Sequence, residues 1–373
     1  MQPVRWLRAH LRQLRAALAP MRQRGQSVAN AVLLQLPAAV TLRGWRVVAQ
    51  RANVFWLNGR RNVARFAAFQ DQIPTSPLPR LVVIVMPHTL HFLLPCLALV
   101  QGQAQLVLLA NGAKAWERRL LNQRFPGLPL FVLATLPASS TPHGELLSFL
   151  LTHHRSDFGV IDHDAYVFDP TLLLRLRATR DECMVGVFPQ SSQRTGLTYP
   201  LTHLLYFNTE ALRTLMQNWR IDARQYRSAP PQVAAPLARL GLGPRSYLKD
   251  YHAFFDTLHV LLAVGLAEGL KLRIEPQKEN APVMHVGGTS IGTHHTKNLF
   301  ALYIHLRFLE LLDDPEITAR YAFMVRPLQH SADALQRHDP ADPSWQMLPA
   351  VEELMQRLQE AGVAHERPIK LRA

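Results

Sequence analysis

The sequence predicts a doubly wound α/β protein with a mostly parallel central sheet, and three observations predict it. Short β-branched runs alternate with apolar-striped segments of helical length from about residue 81 to 190. The runs are apolar on both faces, as strands covered by helices on two sides must be. Four of the five end in proline, an Asn-Gly pair or aspartate, which puts Asn111 and the Asp162/Asp164 pair at the carboxyl ends of strands, where open α/β sheets bind ligands.

In chain order, LVVIVMP (81–87) is the first buried strand and HFLLPCLALV (91–100) the helix after it. QLVLLANG (105–112) is a second strand closed by an Asn-Gly turn, and AWERRLLNQRF (115–125) a helix. LPLFVLAT (128–135) is the third strand, HGELLSFLLTHHR (143–155) a helix, FGVIDHDAYVF (158–168) the fourth strand and MVGVFP (184–189) the fifth. LTHLLYFNTEALRTLMQNW (201–219) reads as a strand running into a helix. Residues 227–246, rich in Pro and Gly, read as a mobile loop or linker. A helix over 256–269 and a strand LRIEP (272–276) follow, then a glycine-rich loop with three histidines (284–298), a helical tail from Leu299 and a last amphipathic helix at 349–362.

The net charge of +14 is unevenly placed. Residues 1–80 hold 13 Arg, no Lys, no Glu and one acid, Asp71, whereas the remaining chain is nearly neutral. Leu7, Leu11, Leu14 and Leu18 recur at helical spacing beside Trp6, with Arg5, Arg8, Arg12 and Arg15 on the rest of the wheel: a basic amphipathic helix suited to an anionic membrane surface or to ordinary packing with a solvated face. Cys96 and Cys183, both in apolar stretches, exclude a disulfide scaffold or a cysteine-rich zinc site. Leu81 to Ala113 lacks any charged residue, but Pro87, His88, His91 and the Gln101–Gln103 run break it into strand, helix and strand, so no transmembrane helix is expected. No secretory signal and no Gly-x-Gly-x-x-Gly or P-loop motif is present.

The most telling pair is Asp162 and Asp164 at the end of the fourth strand. On a continuous strand residues two apart face the same way, giving a hard-oxygen site for Mg²⁺ or Mn²⁺ with His163 on the opposite face. Asx side chains after strands also cap turns for purely local reasons.

Taken together, these features resemble the nucleotide-sugar glycosyltransferases of the GT-A fold, over roughly residues 81–295. The resemblance implies a nucleotide-binding half (81–190) and an acceptor half (191–298) within a catalytic domain at 81–298, between a basic arm (1–80) and a C-terminal helical extension (299–373). It implies that Asp164 binds the divalent ion, that Asp162 reaches the ribose or the metal, and that a late histidine completes the site, with His285 in MHVGGTS preferred over His294 and His295. It implies a general base of an inverting transfer at Asp256, or alternatively Asp250, although Asp256 before a helix also has the look of an N-cap. Asn111 is placed to contact the nucleotide, and Arg194 and Lys297 lie in loops able to reach a diphosphate. The expected partners are a nucleotide-diphosphate sugar, a glycan, lipid or protein acceptor and an anionic membrane surface, with the protein cytoplasmic and peripheral on the inner membrane face. A nucleotidyl- or phosphotransferase using the same carboxylates, and a nucleic-acid binder acting through the arginine-rich arm, are the competing readings.

Overall fold

The computed structural model describes residues 38–136, 139–287, 289, 299–329 and 347–363. The basic helix expected over Arg5–Leu18, and His294, His295 and Lys297, lie outside the described residues. The chain divides into two compact units, Met1–Ala52 and Asn53–Ala373. Helices α1 (Ala38–Leu57) and α2 (Arg60–Asp71) come first in the described chain.

The second unit is built on a seven-stranded sheet. Its strands are β1 (Arg80–Val85), β2 (Gln105–Ala110), β3 (Leu130–Val132), β4 (Phe158–Ile161), β6 (Glu182–Gly186), β9 (Leu204–Phe207) and β10 (Lys271–Ile274), in the spatial order β10-β6-β9-β4-β1-β2-β3. The pairs β1–β2, β1–β4, β2–β3 and β6–β10 are parallel, and β9 alone runs antiparallel, between β4 and β6. Helices α3 (Leu90–Val100), α4 (Ala115–Arg124) and α5 (His143–His153) make the crossovers that parallel pairing requires.

The pleat divides the core. Leu81, Val83, Val85, Leu106 and Leu108 point to one side of the sheet, and Val82, Ile84, Val107 and Leu109 to the other. The first side is covered by α3, α4, the short α6 (Leu172–Arg175), α10 (Leu299–Leu312), α11 (Pro315–Gln329) and α12 (Leu348–Glu360). The second is covered by α2, α5, α7 (Thr209–Trp219), α8 (Ala234–Arg239) and α9 (His259–Ala267). This is the doubly wound class read from the sequence.

Three local expectations are corrected. The run 158–168 is two strands, because Asp162–Asp164 turn: Ala165 N–H donates to Asp162 O (3.1 Å), and β5 (Ala165–Val167) leaves the main sheet to pair antiparallel with β11 (Val283–His285). Residues 227–246 are a packed segment, with a 3₁₀ turn at Pro231–Val233 leading into α8 and Val233, Leu237 and Leu242 buried. Helix α9 starts at His259 after Leu258, whose φ of 70° is left-handed, so Asp256 is not its N-cap. A small hairpin, β7 (Pro189–Ser191) with β8 (Thr198–Pro200), precedes β9.

Candidate active site

An open cleft lies at the carboxyl ends of β1, β2 and β4, where α/β sheets bind ligands. Ile84 and Met86 from the end of β1, Asn111 after β2, and Thr141 and His143 at the start of α5 line one part of it. Asp162, His163, Asp164, His203, His285 and Thr289 line the rest.

Backbone pairing assembles this second group. Ile161 pairs with Leu204 across β4 and β9, and Asp162 N–H donates to His203 O (2.9 Å), which sets the His203 ring beside the Asp162 carboxylate. His285 pairs with Ala165 across β11 and β5, and Val286 N–H donates to Asp164 O (3.2 Å), which brings His285 to both aspartates. Gly287, at φ 71°, passes close by the His285 ring; a Cβ there would lie 3.3 Å from Cε1.

His203 Nδ1 lies 2.9 Å from Asp162 Oδ2, while His285 Nε2 lies 3.8 Å from Asp162 Oδ2 and 3.3 Å from Asp164 Oδ1. The two imidazoles stack with centroids 3.4 Å apart. Asp162, His203 and His285 each offer a ligand atom, all within 4.8 Å of one another. A donor set of one carboxylate and two imidazoles fits a divalent transition ion, and Mn²⁺ better than Mg²⁺, because Mg²⁺ prefers oxygen alone.

Asp164 is buried and stands one step behind this triad. Thr289 Oγ1 donates to its Oδ2 (2.7 Å). Because an ionised carboxylate only accepts, the Thr289 hydroxyl proton is committed to Asp164, and His163 Nε2, 2.9 Å from Thr289 Oγ1, must be the N–H donor of that pair. Burial alone would raise the Asp164 pKa, but the charges and hydrogen bonds of His163, His285 and Thr289 hold it well below the usual carboxylate range. Burial likewise opposes the protonated form of His285, yet Asp164 and Asp162 raise its pKa above the ordinary imidazole value. His163 therefore shares the cleft with the aspartates; the turn cancels the strand alternation that would have sent it to the opposite face.

The remaining expected residues are engaged elsewhere or only in part here. Asn111 lines the cleft but is fully engaged, with Nδ2 donating to Thr141 O (2.9 Å) and Oδ1 accepting from Thr141 N–H (2.7 Å), so it fixes the segment that leads into α5. Asp256 is outside the lining set, with Oδ2 2.5 Å from Lys249 Nζ and Oδ1 accepting from Gln225 Nε2 and Thr257 N–H, each 2.8 Å. Burial would raise its pKa, but Lys249 and these donors bring it down to about 2. Asp250 accepts from Ser192 Oγ and from the N–H groups of Gln193 and Arg194, binding that turn; Arg194 in turn donates to Asp250 O (2.8 Å). Sequence reasoning missed His203 and Thr289. The signal for His203 was a histidine immediately before an apolar strand, meaningful only once that strand is known to pair with β4.

Two carboxylates and two imidazoles thus converge at the carboxyl ends of the strands, where open α/β sheets bind ligands. Residues 57–212, somewhat under half of the chain, match the StrH glycosyltransferase N-terminal domain family, a match that supports a glycosyltransferase. The matched segment contains β1 to β9 and both aspartates. No curated protein matches the chain.

Among solved structures the chain is similar to an active-site mutant of LgtC, at 13% identity and a TM-score of 0.30 over 36% of this chain and 59% of that one. It is similar to the bifunctional glycosyltransferase WbbM, at 13% identity and 0.28 over 40% and 36%. It is also similar to S. aureus TarS in complex with UDP-GlcNAc, at 11% identity and 0.32 over 75% and 84%. At these scores the structural likeness carries no weight for function; the family match does.

Proposed function

We propose that the protein transfers a sugar from a nucleotide-diphosphate donor to a hydroxyl of a glycan, lipid or protein acceptor, in a reaction assisted by Mn²⁺ or Mg²⁺. The observation that carries this reading is the convergence of Asp162, His203 and His285, backed by Asp164, in a cleft at the end of β4. Asp162, His203 and His285 would hold the ion directly, and Asp164 would orient His285 as an outer carboxylate orients a metal-binding imidazole. When bound, such an ion neutralises the negative charge that develops on a departing nucleoside diphosphate.

The chain's own groups do the rest. Thr289 locks the Asp164 carboxylate toward His285, and Asn111 fixes Thr141, which lines the cleft together with His143. Asp256 is the proposed base of an inverting transfer. Its tie to Lys249 means that it can take an acceptor proton only once Lys249 has been drawn away, which would couple deprotonation to acceptor binding. Asp256→Asn should then lower turnover and leave nucleotide binding intact; unchanged turnover would remove it from the mechanism.

The deciding experiment measures thermal stability against a panel of nucleoside diphosphates, nucleoside triphosphates and nucleotide sugars with and without Mn²⁺. A ligand at a hundred times its dissociation constant adds about 2.7 kcal/mol, which such a scan resolves. A Mn²⁺-dependent shift with one diphosphate supports the proposal and names the donor base. A response to nucleoside triphosphates alone would move the reading to nucleotidyl or phosphoryl transfer, and no response to any nucleotide would defeat both.

A further inference from the structure

The last turn of α1 and the first of α2 form a corner at which large aromatics and arginines are exposed together. Phe55 is 77% exposed and Trp56 40% exposed, one after the other on the helix, and Arg60 and Arg61, a few residues on, are exposed as well.

The corner is fixed. Leu57 and Phe66 are buried in the core beneath it, Gly59 N–H donates to Trp56 O (3.1 Å), and Asn62 Nδ2 donates to Leu57 O (3.1 Å). The two aromatic rings are thus held outward by a well-packed base.

Nor does folding explain the arginines. They occupy the first turn of α2, where the positive end of the helix dipole disfavours cations, no acid shares that turn, and neither forms an ion pair among the described residues. Two large aromatics beside two unpaired arginines, on a chain whose first 80 residues carry 13 Arg and a single acid, call for an anionic partner with an apolar layer.

We propose that this corner docks on an anionic lipid bilayer, with Phe55 and Trp56 at the boundary of headgroups and acyl chains and with Arg60 and Arg61 on lipid phosphates. Adjacent exposed aromatics beside arginines suit the headgroup boundary of a bilayer, whereas single-stranded nucleic acid is held in basic grooves that track its backbone, and the sequence beyond residue 80 is nearly neutral. No helix among the described residues is long and apolar enough to cross a membrane, so the association is with the surface.

The test is co-sedimentation of the full chain with phosphatidylcholine vesicles, with and without phosphatidylglycerol. Binding should require phosphatidylglycerol. It should fall by roughly tenfold or more in the Phe55→Ser/Trp56→Ser double variant, and by roughly fivefold per residue in Arg60→Gln and Arg61→Gln. Unchanged melting curves establish that the variants fold, and donor hydrolysis without vesicles should be unaffected, which keeps this inference separate from the transferase reading. No binding to anionic vesicles, or binding that the aromatic variant leaves intact, overturns the proposal. So does equal or tighter binding to single-stranded RNA with the same sensitivity to the four substitutions.

Discussion

Replacing Asp164 by asparagine keeps the shape of the side chain and removes its charge, and the surroundings set the size of the response. The carboxylate accepts from Thr289 and faces His285 Nε2 at 3.3 Å, two charge-assisted contacts worth about 1.5–3 kcal/mol each in a net sense. Against this stands the desolvation that a 3%-exposed carboxylate suffers, and asparagine still accepts from Thr289. The net loss of stability without metal should be about 1–3 kcal/mol. The larger effect appears with metal. Mn²⁺ at a hundred times its dissociation constant should raise the stability of the unaltered protein by about 2.7 kcal/mol, and loss of the outer carboxylate should weaken metal affinity or turnover by about 10–100-fold. Urea denaturation with Mn²⁺ and with chelator, for both proteins, measures the first quantity, and donor hydrolysis measures the second. If Asp164→Asn keeps the full Mn²⁺-dependent rise together with full turnover, the Asp164–His285 pair is not part of a metal site.

Other expectations follow from the same structure. Burial pushes the His154 pKa down to about 4 and the His259 pKa down to about 3. Both rings fold neutral, so the stability they contribute is present above the unfolded value near 6.5 and is lost as pH falls toward 4. For His154 this amounts to at most about 3 kcal/mol, and denaturation curves across that window should be flatter in His154→Gln. Gly144→Ala should cost about 1–3 kcal/mol and weaken donor binding, because a Cβ there would lie 2.7 Å from Arg224 Cα and 2.9 Å from Ala223 O, both backbone, displacing the start of α5, where His143 lines the cleft. Thermal melts and nucleotide titration of the variant check both effects. Glu117→Gln should cost about 1–3 kcal/mol in urea denaturation, since the fully buried carboxylate accepts from His88 N–H (2.7 Å), Lys114 N–H (2.6 Å) and Tyr321 Oη (2.6 Å), and the amide can accept through only one of its two ends.

The parallel half of the sheet is legible in the sequence because its strands are buried on both faces and read as unbroken apolar runs: RLVVIV and QLVLLA need no partner to be recognised. Asp162 and Asp164 are legible for the same reason, since they stand where such a run stops. What is lost is whatever depends on long-range pairing. β9 is only four residues, and nothing in LLYF says that it inserts antiparallel between β4 and β6, yet that insertion brings His203 to Asp162. The turn at Asp162–Asp164 was hidden because Ala165–Val167 continues the apolar run while its pairing partner, β11, lies more than a hundred residues away. His285 was reachable through its glycine-rich surroundings. Thr289 was not, because a single hydroxyl set between His163 and Asp164 has no sequence signature.

The buried Glu117 also bears on how this protein can be cut. It ties the loop after β1 to the loop after β2 and takes its third hydrogen bond from Tyr321 on α11. On the same side of the sheet, Phe308 packs on Phe92 and Tyr166, and His305 Nδ1 meets His91 Nε2 at 2.8 Å inside the core. A chain truncated before Leu299 would leave a carboxylate and an imidazole stranded in an uncovered apolar face, directly behind the strand ends that form the cleft. The helices from Leu299 onward thus share one core with the sheet, and expression trials that trim them should yield aggregate rather than a smaller folded protein.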